Sequence, residues 1–224
     1  MASFPTVSLR SNPLFQGSDD DALGDPHSNR LKDAFTRAKL ISAAHKITSQ
    51  DALRCTEKFW NMHLDPICLR DLTAWVFMTI QTDLVAPTVG YYASQSNSRD
   101  LEDLAESMIR CNVSAWLMTN EVGHGIDALN LETTATLLKD GTYDLHTPRL
   151  EAEKFMPATL PDAGVPKIGI VMARVIVDGS ERGVRAFIVP LNDGETMSKG
   201  VTARRLPERC GAPPFGHAMT SFNH

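Results

Sequence analysis

The stretch Thr119-Asn120-Glu121-Val122-Gly123-His124-Gly125-Ile126-Asp127, with Leu131-Glu132-Thr133-Thr134-Ala135-Thr136 behind it, decides the kind of fold. Two glycines flank one residue, which permits positive φ and lets the backbone come close to a ligand. Gly123, Gly125 and Ala128 also satisfy G-x-G-x-x-A, and Asp144 follows about 20 residues on, as a dinucleotide-binding βαβ unit requires. Such a unit needs a helix directly behind the glycines, because its N-terminal N–H groups hold the pyrophosphate. Leu131 to Thr136 is instead threonine-rich, a composition that favours a strand. The glycine pair is therefore expected in a loop between strands.

On the N-terminal side, Val113 to Met118 is a short apolar run that suits a buried strand. Residues 29–112 carry a helical period. Leu31, Phe35 and Ala38 form one apolar stripe, and Leu101, Leu104, Ala105 and Met108 form another. Asp65-Pro66 resembles an N-cap with proline at the first helical position, and Leu69, Leu72, Val76 and Ile80 are expected to form the stripe behind it. Trp60, Trp75 and Phe77 are expected in the core or in the wall of an apolar pocket. Residues 1–28, rich in Ser, Pro, Asp and Gly, are expected to form a mobile arm.

On the C-terminal side the period becomes that of strands. Thr133–Leu138 and Tyr143–Thr147 flank the Asp140-Gly141 turn signal, giving a hairpin. Ile168–Val177 and Val184–Leu191 flank a turn over 178–183, and a final strand at 201–206 leads into a Pro/Gly-rich tail. Helices followed by antiparallel hairpins make an α+β order. The expected layout is an arm (1–28), a helical domain (29–112) and a β-rich, antiparallel, barrel-like domain (113–224).

Composition narrows the function. The 224 residues carry 22 Lys+Arg against 27 Asp+Glu, net charge -5, with no basic cluster large enough to bind nucleic acid or an acidic membrane surface. No apolar run approaches the roughly 18 residues of a membrane span, and the N-terminus lacks a secretory layout, so an intracellular protein is expected. Cys55, Cys68, Cys111 and Cys210 are scattered, which suits reduced, mostly buried thiols rather than a metal site.

From Leu117 to Pro148 the chain resembles the flavin-contacting region of the acyl-CoA dehydrogenase and acyl-CoA oxidase superfamily. The oxidase motif T-E-x-G-H-G corresponds to Asn120 through Gly125, L-E-T-T-A-T stands intact as Leu131 to Thr136, and H-T-P stands as His146-Thr147-Pro148. Lys154-Phe155-Met156-Pro157 is similar to K-W-W-P. Arg185 to Leu191 resembles the h-A-F-I-V-P strand, and His217 to Asn223 resembles the segment closing the family's middle domain.

The resemblance implies an FAD-dependent oxidoreductase that introduces an α,β double bond into an acyl-CoA thioester, in β-oxidation or in making a specialised metabolite such as a fungal toxin. It implies flavin contacts from Thr119, Asn120, Glu121, Gly123, Gly125, His146 and Thr147, with Thr147 near the flavin N5. Substrate contacts would fall on His124 and Ile126. His124 also suits an exposed loop, and His146 also suits an ordinary strand histidine. Arg204, Arg205 and Arg209 suit a solvated face or a CoA phosphate. The match departs at Asn120, which replaces a threonine, at Ile126, which replaces the dehydrogenase serine, and at Ala158-Thr159, which replaces a glycine pair. The family's general base is a glutamate on a C-terminal helical domain that does not follow His224, so no catalytic residue is assigned. The implied partners are an acyl-CoA and either a second copy or a complementing chain, in the peroxisome or the cytoplasm. The competing expectation is a remnant or subunit that binds flavin, acyl-CoA or a partner protein without turnover.

Overall fold

The computed structural model describes residues 4–16, 27–207 and 215–223. It divides into two units, Met1–Ala115 with Gly211–Phe215, and Trp116–Cys210 with Gly216–His224.

The first unit is helical: α1 (His27–His45), α2 (Ser49–Leu53), α3 (Glu57–His63), α4 (Leu72–Thr79), α5 (Ala86–Ser96) and α6 (Arg99–Ile109). Leu31, Phe35 and Ala38 are buried on α1, and Ala105 and Met108 on α6, as their spacing predicts. The stripe expected over Leu69, Leu72, Val76 and Ile80 does not form. Leu69 is 88% and Leu72 55% exposed, and the buried face of α4 is Thr73, Ala74, Phe77 and Met78. The reason is a second cap. Asp65 caps only a 3-10 turn, Pro66–Leu69, and Asp71 starts a new helix by accepting from the Ala74 N–H at 3.0 Å. The break resets the helical phase. Trp60 is likewise 54% exposed, so Phe77 is the one fully buried member of its expected trio.

Between α4 and α5 the helix widens into a π-helical turn, Ile80–Val85, just before Pro87. Proline has no N–H to give the carbonyl four residues back, and its ring crowds that carbonyl, so the longer-period turn relieves both problems. The turn buries Gln81, whose amide exchanges hydrogen bonds with the Ala115 backbone, Nε2 to O at 3.0 Å and N–H to Oε1 at 2.9 Å.

Within residues 1–28, the described part (4–16) makes 3-10 turns. Phe15 and Thr6 are buried there, and Thr6 donates to Asp65 at 2.6 Å. Residues 1–3 and 17–26 lie outside the described residues.

The second unit is built of strands: β1 (Ser114–Met118, which begins at the boundary), β2 (Thr134–Leu137), β3 (Tyr143–His146), β4 (Lys154–Phe155), β5 (Lys167–Val177), β6 (Ser180–Asn192), β7 (Val201–Arg205) and β8 (Ala218–Phe222). One sheet runs β1-β5-β2-β3, with β6 also on β5, and a second runs β4-β8-β7. The described strands therefore form two open sheets rather than a closed barrel. The sheets are not wholly antiparallel either, since β2 pairs with β5 in parallel, Ala135 opposite Val175. The long connection through β3 and β4 permits that direction.

The expected turn over 178–183 shrinks to Asp178-Gly179. Both residues have positive φ (50° and 73°), the geometry of a tight hairpin turn that matches strand twist, so β6 begins at Ser180. The expected tail contains one more strand, β8, in which Ala218, Thr220 and Phe222 alternate inward.

Candidate functional site

The candidate loop runs between β1 and β2. Residues 126–138 contain only a 3-10 turn (Ala128–Asn130) and β2, so the helix a dinucleotide fold requires is not there.

Glu121 anchors the loop. Its carboxylate is buried and accepts from the Glu132 N–H (2.7 Å), the Thr133 N–H (3.0 Å) and the Lys154 ammonium (3.0 Å). Lys154, also buried, spends a second proton on the Met172 carbonyl at 2.7 Å. Burial alone would push the Glu121 pKa up, but the Glu132 N–H, the Lys154 charge and the Thr133 contacts outweigh it, and the net shift is downward. For Lys154, burial dominates and lowers the pKa against the pull of Glu121. Glu121 is thus a structural ion-pair partner that fixes where the loop leaves β1.

The loop is held from a second side by the segment after β3. The Val122 N–H donates to the Glu153 carbonyl (3.1 Å), Gly123 to that of Glu151 (2.8 Å) and Phe155 to that of Asn120 (3.0 Å). At Gly123 an added Cβ would lie 2.8 Å from the Glu151 Cβ, so this glycine makes room for the chain's own neighbouring segment. Gly125 differs. Its φ is +56° and nothing lies within 4 Å of an added Cβ, so it turns the chain and leaves open space. The side chain of Thr119 donates to Asn120 Oδ1 at 3.1 Å, and both residues are half-buried.

His124, between the glycines, meets Glu132 through Nε2 at 2.5 Å, and Arg149 grips both oxygens of the same carboxylate at 2.6 Å each. Those contacts, Arg149 first, hold the Glu132 pKa down to about 2. Ile126 is 92% exposed at the loop's end.

His146 sits on β3 opposite Thr134 and is half-buried. Thr147 is buried and doubly tied to β8. Its N–H donates to the Phe222 carbonyl (2.8 Å), and its Oγ1 accepts from the Phe222 N–H (2.9 Å). The fold thus gathers Thr119 to Ile126 in one loop pinned by residues 132–133 and 151–155, while Thr147 is positioned by β8. Lys154, Glu132 and Arg149 are not singled out by sequence reading, although Glu132 and Lys154 lie in quoted motifs. Arg204 pairs with Glu153, Arg205 pairs with Asp162 at 2.9 Å, and Arg209 lies outside the described residues.

No protein-family model matches the chain. By sequence it is similar to acyl-coenzyme A oxidase acox-1.1 of Caenorhabditis elegans, 32% identical over 135 residues, which is 59% of this chain and 20% of that protein. By fold it resembles acyl-CoA oxidase 3 of Yarrowia lipolytica, with a TM-score of 0.72 and 22% identity, covering 98% of this chain and 30% of that one. It also resembles C. elegans acyl-CoA oxidase-1, solved in complex with FAD and ATP, with a TM-score of 0.65 and 18% identity over 98% of this chain and 32% of that one. The chain thus spans between a fifth and a third of the length of these relatives. Sequence and fold agree in one likeness: this chain is similar to acyl-CoA oxidases, in line with the resemblance to the acyl-CoA dehydrogenase and acyl-CoA oxidase superfamily.

Proposed function

We propose that the chain is the helical and flavin-contacting portion of an FAD-dependent acyl-CoA oxidase-like protein that desaturates an acyl-CoA thioester at its α,β positions. The observation that carries this is the Glu121–Gly125 loop, anchored on two sides yet open at Gly125, in the unit that also contains Thr147. These residues suit FAD. Gly125 admits a flat group close to backbone, and Thr147, whose oxygen already accepts from Phe222, keeps its O–H to donate to a ring nitrogen. Thr119, Asn120, Glu121, Gly123 and His146 complete the proposed flavin contacts; Ile126 falls on the substrate side, and His124 on the substrate or the flavin side.

Bound FAD would supply the hydride acceptor for the substrate β-carbon. The chain's own residues would bind and orient: the Thr147 hydroxyl, with its O–H left to donate, favours negative charge building on the ring. Peroxisome or cytoplasm, β-oxidation or specialised metabolism, and a second copy or complementing chain as partner all belong to this reading.

A second reading, binding without turnover, is favoured by the acids near the loop. Glu121 is committed to three donors, and Glu132 to Arg149 and His124, so neither is available to abstract a proton. The test is the absorption spectrum of purified residues 1–224 with added FAD, before and after an acyl-CoA. A retained flavin band that bleaches is expected for the enzyme. A retained band that does not bleach supports binding alone, and a colourless protein defeats both flavin readings.

A further inference from the structure

Resting on the flavin reading of the loop, we propose that Glu132 is a positioning residue: clamped by Arg149, it fixes His124 as the Nε2–H tautomer and so makes Nδ1 a hydrogen-bond acceptor for a donor group on the bound flavin. The first step is chemical. A carboxylate can only accept, and Glu132 accepts from both Arg149 nitrogens while meeting His124 Nε2 at 2.5 Å. The neutral imidazole must therefore carry its proton on Nε2, which leaves the lone pair on Nδ1. Among the described residues Nδ1 has no hydrogen-bond partner.

The second step is geometric. Glu132 holds the loop at two points, its backbone N–H on the Glu121 carboxylate at 2.7 Å and its own carboxylate on His124. Arg149, which also lies 3.9 Å from Glu151, orients Glu132 through a two-pronged contact, and Asp127 and the buried Glu121 are the other charged groups on the loop itself. A histidine whose far nitrogen is held this way presents its near nitrogen in one chemical form, as second-layer carboxylates do for histidines that bind metals. His124 lies between Gly123 and Gly125, beside the open space at Gly125. The oxidised flavin ring carries a single N–H, its imide N3–H, and an acceptor in this loop selects for that donor.

Two measurements test the proposal. Nitrogen-15 shifts of the imidazole at alkaline pH, in the unliganded protein, report the tautomer. The Nε2–H form is expected for His124 in wild type, and a mixture in Glu132→Gln, whose amide both donates and accepts. A wild-type Nδ1–H tautomer, or a distribution unchanged in Glu132→Gln, would overturn the positioning role whatever the flavin result.

The second measurement compares binding of FAD and of FAD methylated at N3. Wild type is expected to prefer FAD by about tenfold, from one lost hydrogen bond. The preference should fall towards parity in His124→Ala and weaken in Glu132→Gln, while Glu132→Asp retains part of it. Equal affinity for the two flavins in wild type would overturn the acceptor role and leave the flavin reading intact. Failure of wild type to bind either flavin would overturn the flavin reading, and with it the ligand half of the proposal. His124 is in a loop and Arg149 is exposed, so His124→Ala and Arg149→Lys serve as variants that leave the fold in place.

Discussion

Gly123 and Gly125 look alike in the sequence and do different things. Gly123 is small because Glu151 occupies the space its side chain would fill, and Gly125 is a glycine because its φ is +56°. Gly123→Ala is expected to force the 151 segment away and cost about 1–3 kcal/mol, the range for overpacking a fitted site. Gly125→Ala meets no atoms and should cost only about 1 kcal/mol of backbone strain. Urea unfolding midpoints of the two variants check the order, and a larger loss at Gly125 would contradict this account. Glu121 carries the same lesson. The structure gives its carboxylate to Lys154, Glu132 and Thr133, a role that its place in the motif does not announce.

Among the elements, α4 shows how one capping residue redirects a face. Asp71 caps the helix through Oδ1 and pairs with Arg37 through Oδ2 at 2.7 Å. Asp71→Ala removes both contacts. The expected loss is about 1–2 kcal/mol, most of it from the cap, because the ion pair is partly exposed. Guanidinium unfolding of this variant beside Arg37→Ala separates the two: if Arg37→Ala costs as much as Asp71→Ala, the cap is not the main contribution. The stripe over Leu69, Leu72, Val76 and Ile80 does not form, and spacing alone cannot tell one long helix from a 3-10 turn and a restarted helix. β8 is not legible in the sequence for a related reason. Its five residues follow a glycine- and proline-rich stretch, and its inward alternation has meaning only once β4 and β7 lie on either side of it.

Across the molecule, stability should fall with acid in two stages. In the helical unit His45 is buried against Asp65 at 3.0 Å, and burial outweighs the attraction of Asp65, so its pKa lies below the ordinary 6.5. The unfolded chain then binds a proton that the folded one resists, so this contribution is present above about pH 6.5 and is lost as pH falls towards the folded pKa. In the β-rich unit Glu121 lies below its ordinary 4.5, so its contribution is present above that value and is lost as pH falls through the folded pKa. Melting temperatures from pH 8 to 3.5 should show the first fall in wild type and not in His45→Gln. Glu121→Gln should instead be destabilised by about 3–5 kcal/mol already at neutral pH, because it leaves the Lys154 charge buried without its partner. A Glu121→Gln protein as stable as wild type would mean that Lys154 sheds its proton at little cost.

The α+β order, the hairpin at Asp140-Gly141 and the candidate loop between strands are legible in the sequence. Each of these follows from local chemistry: apolar period, β-branching and turn residues act within a few neighbours along the chain. Long-range contacts set the rest: the described strands form open sheets with β2 parallel to β5, α4 buries Phe77 rather than Leu72, and Glu121 pairs with Lys154 while Glu132 holds His124. The pairings among them join residues 8, 33 and 40 positions apart, and the gain from pairing buried charges and donors depends on which segments meet in space, which spacing along the chain does not encode.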